Sequence, residues 1–359
     1  MMRDVAIIAS AQAPNLATTT ATPVEMLMPV VDQALANAGI ARSEVGFWCH
    51  GSCDYMTGQP FSFVSAVDAL GAWPPIIESH VEADGAWALY EAWLKIQTGE
   101  VDTALVFGNG RSSSGDINRI LTLQLDPYVV APLWPDDRSI AAIQARACLE
   151  AGIITPQQMA MVAVRNHHHA LTNPYALRKG DYTIDELLEA TLVADPLREL
   201  DCPAHADGVT AVVLAAGDAA RSISAARGSR PAWIRGIDHR IDTQNLGNRS
   251  ITSLPSAELA AAKAGVGNDK VDVAELHAPY THQEVLLVAA LGLVDSPDSA
   301  TSINPSGGAL CANPMMSAGL ARLAEAAARV ADGSADRAVG HASSGPWMQQ
   351  NLVCVLEGE

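Results

Sequence analysis

Basic residues are scarce in this sequence. It has 22 Lys and Arg against 40 Asp and Glu, a formal net charge of −18. This balance argues against a nucleic-acid partner, because phosphate backbones are bound by clustered Lys and Arg. Residues 1–110 hold only Arg3, Arg42 and Lys95, whereas residues 165–270 hold 12 of the 22 basic residues. We expect an anionic cofactor to dock on that basic segment; the alternative is a solvated, salt-bridged surface, and charge alone does not decide between them.

Long apolar runs are also missing. No run of about 18 or more apolar residues occurs, so we expect no membrane-spanning helix. The first ten residues carry one Arg and a short apolar run, Val5–Ala9. This pattern is typical of a first strand and not of a signal peptide.

The six cysteines form neither a paired framework nor a CxxC motif. This usage indicates reduced thiols and a cytoplasmic location. Cys49, His50, Cys53 and His80 match no standard zinc spacing, so we predict no metal site and interpret the cysteines as small buried apolar residues. The cysteines are Cys49, Cys53, Cys148, Cys202, Cys311 and Cys354.

An internal repeat indicates the architecture. Residues 85–105 and 319–339 resemble each other at a constant offset, with Gly85 aligned to Gly319 and Asp102 to Asp336. Each copy has the pattern of an Ala-rich helix stopped by a glycine and followed by a short apolar strand. The helices are weakly polar, which favours burial between sheets. The alternative is chance similarity between two Ala-rich helices.

The remaining pattern predicts an α/β protein of 359 residues in three parts. The first half comprises residues 1–110 and 201–230; a loop domain spans 111–200, and the second half spans 231–359. The predicted strands are Val5–Ser10, Val209–Ala216, Ala232–Asp238 and Asp272–Leu276. The predicted helices are Pro23–Ala38, Ser139–Ala151 and Thr155–Thr172, and Arg111–Asp137 is predicted to be irregular.

Four stretches, in this order, resemble the sterol-carrier-protein type of thiolase and its actinobacterial lipid-transfer-protein relatives. They are RNHHHALTNPYA at Arg165–Ala176 with Asp195–Leu214, ELHAPYTHQE at Glu275–Glu284, NPSGGALCANPMMSAG at Asn304–Gly319, and the terminal loop and strand His341–Leu356. The resemblance implies a thiolase-type five-layered αβαβα sandwich of two duplicated halves. It implies an acyl-CoA ligand, with coenzyme A as part of the substrate and no separate cofactor. It also implies a dimer, for which we predict pairing through the apolar strand Thr103–Phe107.

Three departures remove the reactive groups of a thiolase. Glu82-Ala83-Asp84-Gly85 stands where the family has Cys-Ala-Thr-Gly, so Glu82 takes the nucleophile's place; alternatively, Glu82 or Asp84 caps the helix. Asn313-Pro314 replaces a His-Pro. The terminal loop His341–Gly345 lacks a Cys. Without both cysteines, the ping-pong acyl transfer of a thiolase cannot run.

Some of the machinery persists. His277 stands at the family's oxyanion His, and Tyr280 lies in the same loop. The candidate catalytic residues are Glu82, His277, Tyr280 and Asn313, and the candidate substrate-binding residues are Gly307, Gly308 and Ser344. The consecutive His167–His169 point in three directions on one helix and are predicted to be structural.

The resemblance extends to cysteine-less members that cleave the side chain of steroid acyl-CoA thioesters by retro-aldol chemistry with a small OB-fold and zinc-ribbon partner subunit. That chemistry needs a base and enolate donors but no covalent nucleophile. Glu82 or Tyr280 is the candidate base, with His277 and Asn313 as donors. The alternative is a non-catalytic acyl-CoA-binding or supporting subunit in a homodimeric or heterodimeric thiolase-like complex.

Overall fold

The computed structural model describes residues 3–58, 60–293 and 301–359. The first half contains β1 (Val5–Gln12), α1 (Pro23–Ala38), β2 (Phe47–Gly51), α2 (Asp54–Thr57), α3 (Phe63–Leu70), β3 (Glu78–Val81), α4 (Gly85–Gln97) and β4 (Thr103–Arg111). The loop region contains α5 (Ile117–Leu123), α6 (Asp137–Glu150), α7 (Pro156–His169), α8 (Ile184–Glu189), β5 (Leu192–Ala194) and β6 (Leu197–Arg198). The chain then returns to the first half through β7 (Asp207–Ala216) and α9 (Gly217–Ala226).

The second half repeats the plan of the first. It contains β8 (Ala232–Ile241), α10 (Pro255–Ala264), β9 (Val273–Glu275), α11 (Thr281–Ala290), β10 (Ser302–Ile303), α12 (Gly308–Cys311), α13 (Ala318–Ala331), β11 (Arg337–Ser344) and β12 (Gln350–Glu357). In the described residues the strand order is β3-β2-β4-β7-β1 in the first half and β10-β9-β11-β12-β8 in the second, with matching directions at every step. The duplication predicted from the sequence is therefore confirmed.

The two five-stranded sheets touch along a short β1–β8 pairing, Ala6 with Trp233 and Ile7 with Ala232. Helices α4 and α13 fill the middle layer and pack against strands of both halves. Helices α1 and α3 cover the outer face of the first sheet, and α10 and α11 cover that of the second. This is the expected αβαβα order, and burial of these apolar faces supplies the main driving force for the fold.

Glycines allow the two halves to approach closely. A Cβ atom on Gly108 would lie 2.4 Å from the Met316 carbonyl oxygen, and one on Gly110 would lie 2.1 Å from that of Met315. Any side chain there would push the start of α13 away from β4, so glycine is required by contact and not by backbone conformation.

The loop region is more regular than its composition indicates. Helix α7 begins as predicted, with Thr155 as N-cap in a capping box with Gln158. Residues 111–137, predicted to be irregular, contain α5 and two 3₁₀ turns. Asp116 caps α5 by accepting a hydrogen bond from the Arg119 N–H, so a helix begins inside the segment predicted to be irregular. The domain limits themselves stay a prediction.

The strand predicted for the dimer contact is placed wrongly. Thr103–Phe107 belongs to β4, which lies between β2 and β7 and is buried. The free edge of the first half is β3 instead. We call β3 and the exposed large side chains of the preceding connection the edge face; those side chains are Tyr55, Phe61, Val64, Trp73 and Ile77.

In the part of the chain that the structure describes, every helix is too short or too polar to cross a bilayer.

Candidate functional site

A cavity of about 210 Å³ opens where the two halves and the loop region meet. Its walls come from the start of α6, the approach to β7, the loop after β9, the segment before α13 and the turn between β11 and β12. Titratable and hydrogen-bonding groups line it together with apolar side chains. The polar groups include Asp84, Asp137, His205, His277, Tyr280, Gln283, Asn313, Ser343 and Ser344.

His277 is held in one tautomer. Its Nδ1 accepts the backbone N–H of Ser343 at 3.3 Å, and its backbone oxygen accepts the Ser343 hydroxyl at 2.9 Å. Burial lowers the pKa of His277 to about 4, although the hydrogen bond to Asn313 opposes this shift. The ring is therefore neutral near pH 7. Because Nδ1 is an acceptor, the ring proton lies on Nε2.

That proton orients Asn313. His277 Nε2 lies 3.2 Å from Asn313 Oδ1, so the imidazole donates to the amide oxygen. The Asn313 NH₂ group then remains as a donor, and it has no hydrogen-bond partner among the described residues. The backbone of Asn313 is fixed as well, since its N–H donates to the Ala204 carbonyl at 2.8 Å. The Ser343–His277–Asn313 chain thus presents an amide donor at the cavity wall, as an oxyanion site requires.

A second group of side chains faces the cavity from another wall. The Tyr280 hydroxyl donates to Asp137 Oδ2 at 2.5 Å, and His205 Nε2 lies 3.7 Å from the same oxygen. Burial, and then the nearby Asp137 carboxylate, raise the pKa of Tyr280 far above its ordinary value. Tyr280 therefore stays protonated and fixes the orientation of Asp137. The accessible proton acceptors are Asp137 and His205, with side chains 25% and 27% exposed.

Sequence reasoning identified Tyr280 but missed Asp137 and His205. Asp137 stands in the first turn of α6, where an acidic residue is usually explained by the helix dipole. His205 lies in Asp195–Leu214, a stretch that resembles the family, but no local pattern marks it as reactive. Its Nδ1 has no hydrogen-bond partner among the described residues.

Glu82 does not line the cavity. Its side chain is exposed and its Oε1 accepts the Asp54 N–H at 2.8 Å, beside the edge face. The cavity-lining acid of this segment is Asp84, two residues further on. Asp84 accepts the Ala86 N–H as the N-cap of α4, so the capping alternative holds for Asp84.

The Gly307–Gly308 turn lies outside the cavity lining. A Cβ atom on Gly307 would lie 2.8 Å from the Ala170 Cβ, and one on Gly308 would lie 2.7 Å from Asn304 Nδ2. Both glycines have positive φ, 93° and 65°. They let the turn pack against the end of α7, and their role in substrate binding stays a prediction. Ser344 does line the cavity.

One wall of the cavity is a turn with an unusual backbone. Gly345, Trp347 and Met348 have φ values of 76°, 53° and 55°. Two consecutive non-glycine residues in the left-handed region are costly unless other contacts hold them. The Trp347 indole N–H donates to the Ile140 carbonyl at 2.8 Å, and Arg249 donates to the Trp347 carbonyl at 2.5 Å. These contacts fix an apolar wall beside the polar groups.

No cysteine lines the cavity in the described residues. All six are buried free thiols. Burial raises the pKa of Cys202 and of Cys311 to about 12. A thiolate nucleophile is therefore absent from this site.

The histidine run and the basic segment have structural partners. His167 Nδ1 bonds the Ala163 carbonyl, His168 pairs with Asp181 and His169 Nδ1 bonds the Asn304 carbonyl, so the three rings point apart as predicted. Within the described ranges, no group of three or more His, Cys, Asp or Glu side chains is placed to hold a metal.

Many arginines of residues 165–270 are already paired. These ion pairs favour the salt-bridged alternative for the basic segment, and they leave fewer free guanidinium groups for an anion than its composition indicates. The pairs are Arg165–Glu284, Arg178–Glu199, Arg221–Glu359, Arg230–Asp336 and Arg240–Asp238.

Comparison with known proteins agrees with this architecture. No family model matches the chain. It is 27% identical over 274 residues to an acetyl-CoA acetyltransferase of Methanothermobacter thermautotrophicus, covering 70% of each protein. It is also 27% identical over 329 residues to sterol carrier protein 2 of Gallus gallus, covering 82% of this chain but only 59% of that protein. The solved structure described as "Ltp2-ChsH2(DUF35) aldolase" superposes with a TM-score of 0.81 at 19% identity, covering 99% of this chain and 98% of that one.

The chain therefore has the thiolase fold. Its homologues are thiolase-superfamily and sterol carrier protein 2-like proteins, and an aldolase is among its structural neighbours. The resemblance inferred from the sequence motifs is thus confirmed at the level of fold and superfamily.

Proposed function

We propose that this chain is a carbon–carbon lyase that cleaves a β-hydroxyacyl-CoA thioester by a retro-aldol reaction. One observation carries the proposal: a single cavity combines the Asp137–His205 pair with the Asn313 amide donor and lacks a thiol. A base and an enolate donor are the requirements of retro-aldol cleavage. The apolar part of the cavity wall, which includes Ile140 and Trp347, suits a hydrophobic acyl chain such as a steroid or lipid side chain.

The reaction balances without a co-reactant. The base takes the proton of the β-hydroxyl group, and the O–H electron pair becomes the second bond of a new carbonyl. The Cα–Cβ bond breaks, and its electron pair forms the enolate of the thioester. The protonated base or solvent then returns a proton to Cα. The products are an aldehyde or ketone and a shorter acyl-CoA.

His205 is the base in this proposal. Asp137 stabilises the imidazolium that forms, because its Oδ2 lies 3.7 Å from His205 Nε2. Such contacts are often longer without substrate than with it. Tyr280 acts through Asp137, since its hydroxyl is committed to that carboxylate at 2.5 Å. This assignment replaces the expectation that Tyr280 or Glu82 is itself the base.

Asn313 is the enolate donor. As the thioester oxygen gains negative charge, the free amide N–H binds it more strongly than it binds the neutral carbonyl, which lowers the barrier. His277 is a positioning residue, because its Nε2–H fixes the amide oxygen of Asn313.

The assembly belongs to the same proposal. A homodimer or heterodimer core forms through the edge face, where, among the described residues, β3 has no strand partner on one side and five large apolar side chains are exposed. A small OB-fold and zinc-ribbon subunit is the proposed partner in the cytoplasm. The likeness to the solved Ltp2-ChsH2(DUF35) aldolase supports a partner subunit. Coenzyme A enters as part of the substrate, with no other cofactor.

The deciding experiment is incubation of the purified chain, alone and co-expressed with a candidate partner, with β-hydroxyacyl-CoA esters of increasing acyl size. We expect a carbonyl product and a shorter acyl-CoA in equal amounts, and no CoA-dependent cleavage of a 3-ketoacyl-CoA. Binding of the esters without any turnover, in every combination, would refute the lyase assignment.

The second candidate is a non-catalytic acyl-CoA-binding or supporting subunit. It is favoured by the loss of the thiolase groups and by Glu82, which is turned to solvent and bound to Asp54. The Asn313 amide donor favours the enzyme, because His277 orients it and it has no hydrogen-bond partner among the described residues.

A further inference from the structure

Asp84 is the only described side chain that caps both central helices. Its Oδ1 accepts the N–H groups of Ala86 and Leu320, and its Oδ2 accepts that of Gly319, each at 2.9 Å. Ala86 lies in the first turn of α4, and Gly319 and Leu320 lie in the first turn of α13. One carboxylate therefore joins the pseudo-equivalent helices of the two halves.

The surroundings of the Asp84 carboxylate have a strongly positive electrostatic potential. The N-termini of two helices of 13 and 14 residues converge on Asp84, and each carries a partial positive charge of about half a unit. Asp84 is 2% exposed and lines the cavity. Burial raises its pKa, while the three backbone N–H groups oppose that shift. Without the carboxylate, three N–H donors would point into the cavity floor and form an anion site.

We propose that Asp84 is a built-in anion that occupies this site and thereby determines what the cavity accepts. Because the floor is filled and negative, a free carboxylate is excluded from it. The oxygen of a neutral thioester is directed to Asn313 instead. This second part rests on the proposed lyase function; the first part does not.

Asp84→Ala tests the first part, because the substitution removes one carbon and two oxygens, the heavy atoms of formate. We expect Asp84→Ala to melt at a lower temperature than wild type. Sodium formate at 100 mM, compared with equal sodium chloride, should then raise its Tm by about 3 °C with saturable dependence. Wild type should not respond, since its site is full.

Two variants serve as controls. Asp84→Asn fills the same space without charge, so formate should not raise its Tm. Asp116→Ala removes an exposed N-cap of α5, where an empty cap is already solvated, so formate should not stabilise it either. If Asp84→Ala does not fold, Asp84→Ser retains a capping hydroxyl while leaving donors open, and it should show the same formate response. Lack of a formate-specific response in both Asp84→Ala and Asp84→Ser would overturn the proposal.

The second part is tested by kinetics. In Asp84→Asn we expect kcat to fall about tenfold with KM within twofold, because the charge that orients the thioester is lost while the cavity shape is kept. In Asp84→Ala, formate should inhibit competitively with the acyl-CoA. Equal kcat in wild type and Asp84→Asn would refute the orienting role. Absence of turnover by the wild-type chain, both alone and with the candidate partner, would refute the lyase function, and the formate experiment would still decide whether Asp84 fills an anion site.

Discussion

The connection from β2 to β3 and the connection from β9 to β10 occupy the same place in the two halves, but they have opposite surroundings. In the first half, the connection leaves Tyr55, Phe61 and Trp73 exposed at the edge face. In the second, it contains the buried His277 loop and α11. The duplicated scaffold fixes where a connection lies, and the layer placed over it decides what it does.

That layer is the loop region. Asn166 on α7 donates to Glu284 on α11 at 2.6 Å, and Asn304 donates to the same oxygen at 2.6 Å. Gln283 on α11 donates to Gln144 on α6 at 3.1 Å. These buried bonds cover the second connection and hold the cavity residues in place. The first connection has weaker contacts with the loop region, in which Ser114 donates to the Met56 carbonyl at 3.3 Å and Gln124 to Cys53 Sγ at 3.5 Å. Its large apolar side chains stay exposed, which is why we assign it to assembly.

The largest expected effects come from the cavity groups. Under the proposed function, His205→Ala and Asn313→Ala should each lower turnover of a β-hydroxyacyl-CoA by about a hundredfold to ten-thousandfold, as losses of a base or an oxyanion donor do. His277→Ala should cost somewhat less, since it acts through Asn313. Thermal melting should show that the variants are folded; turnover within a few-fold of wild type in all three would contradict our assignment.

The buried contacts between the loop region and the second half can be disrupted at Glu284. Its buried carboxylate binds Arg165, Asn166 and Asn304. Glu284→Ala should lower the free energy of unfolding by about 3–5 kcal/mol, because it removes the buried carboxylate that these three side chains share. The matched control is Glu100→Ala, which removes the exposed Lys95–Glu100 pair of the first half and should change the free energy of unfolding far less, because exposed ion pairs contribute little. Similar costs in denaturant unfolding would remove the contrast between the halves.

Acid should destabilise the protein through its buried histidines. Burial lowers the pKa of His50 and His277 to about 4, and of His282 and His341 to about 3. Below about pH 6.5 the histidines of the unfolded chain become protonated, whereas the buried histidines of the folded chain stay neutral. The free energy of unfolding therefore falls as pH is lowered toward 4. We expect Tm to drop by about 10 °C from pH 7 to pH 5. His282→Gln should reduce the slope; a flat Tm over this range would contradict the neutral histidines.

The edge face should control assembly. Ile77→Glu combined with Phe61→Glu should convert a dimer to a monomer at micromolar concentration, because it places charges in the apolar contact. Leu259→Glu, on the exposed side of α10, is the control and should leave the dimer intact. Light scattering measures both. A wild-type monomer would show that the edge face is not a self-contact, and pull-down with the partner subunit would then test the heterodimer.

The smallest effect is expected at Glu82. Its carboxylate lies on the first-half side, exposed and bound to the Asp54 N–H. Glu82→Gln should keep turnover within about twofold of wild type, and Glu44→Gln, at another exposed carboxylate that accepts a backbone N–H, is the matched control. A loss of a hundredfold in Glu82→Gln would mean that Glu82 enters the cavity when substrate binds.

Local signals in the sequence predicted the elements well. Helix α1 has the predicted bounds, Pro23–Ala38, because a Thr22 capping box and the left-handed Gly39 mark its ends. The contrast is β4. Its apolar residues predict a dimer contact, but a strand that is buried and apolar on both faces belongs in the middle of a sheet and not at its edge.

The site was less accessible to sequence reasoning. His277 and Asn313 were found through the motif resemblance, and the hydrogen bond between them confirms that they meet. Asp137 and Tyr280 are 143 residues apart, and only the packing of the loop region brings them together. The sequence predicts Glu82 as the acid of the site, but the acid that lines the cavity is Asp84. Just after the end of β3, a difference of two positions separates a carboxylate that faces solvent from one that faces the cavity.

The six buried thiols also allow local unfolding of the chain to be followed by chemical labelling. Burial raises the pKa of Cys53 and Cys148 to about 11 and that of Cys49 to about 12, so an alkylating reagent finds almost no thiolate in the folded protein. The positions are spread over both halves and the loop region. The order in which they become labelled under mild denaturant therefore measures which part unfolds first.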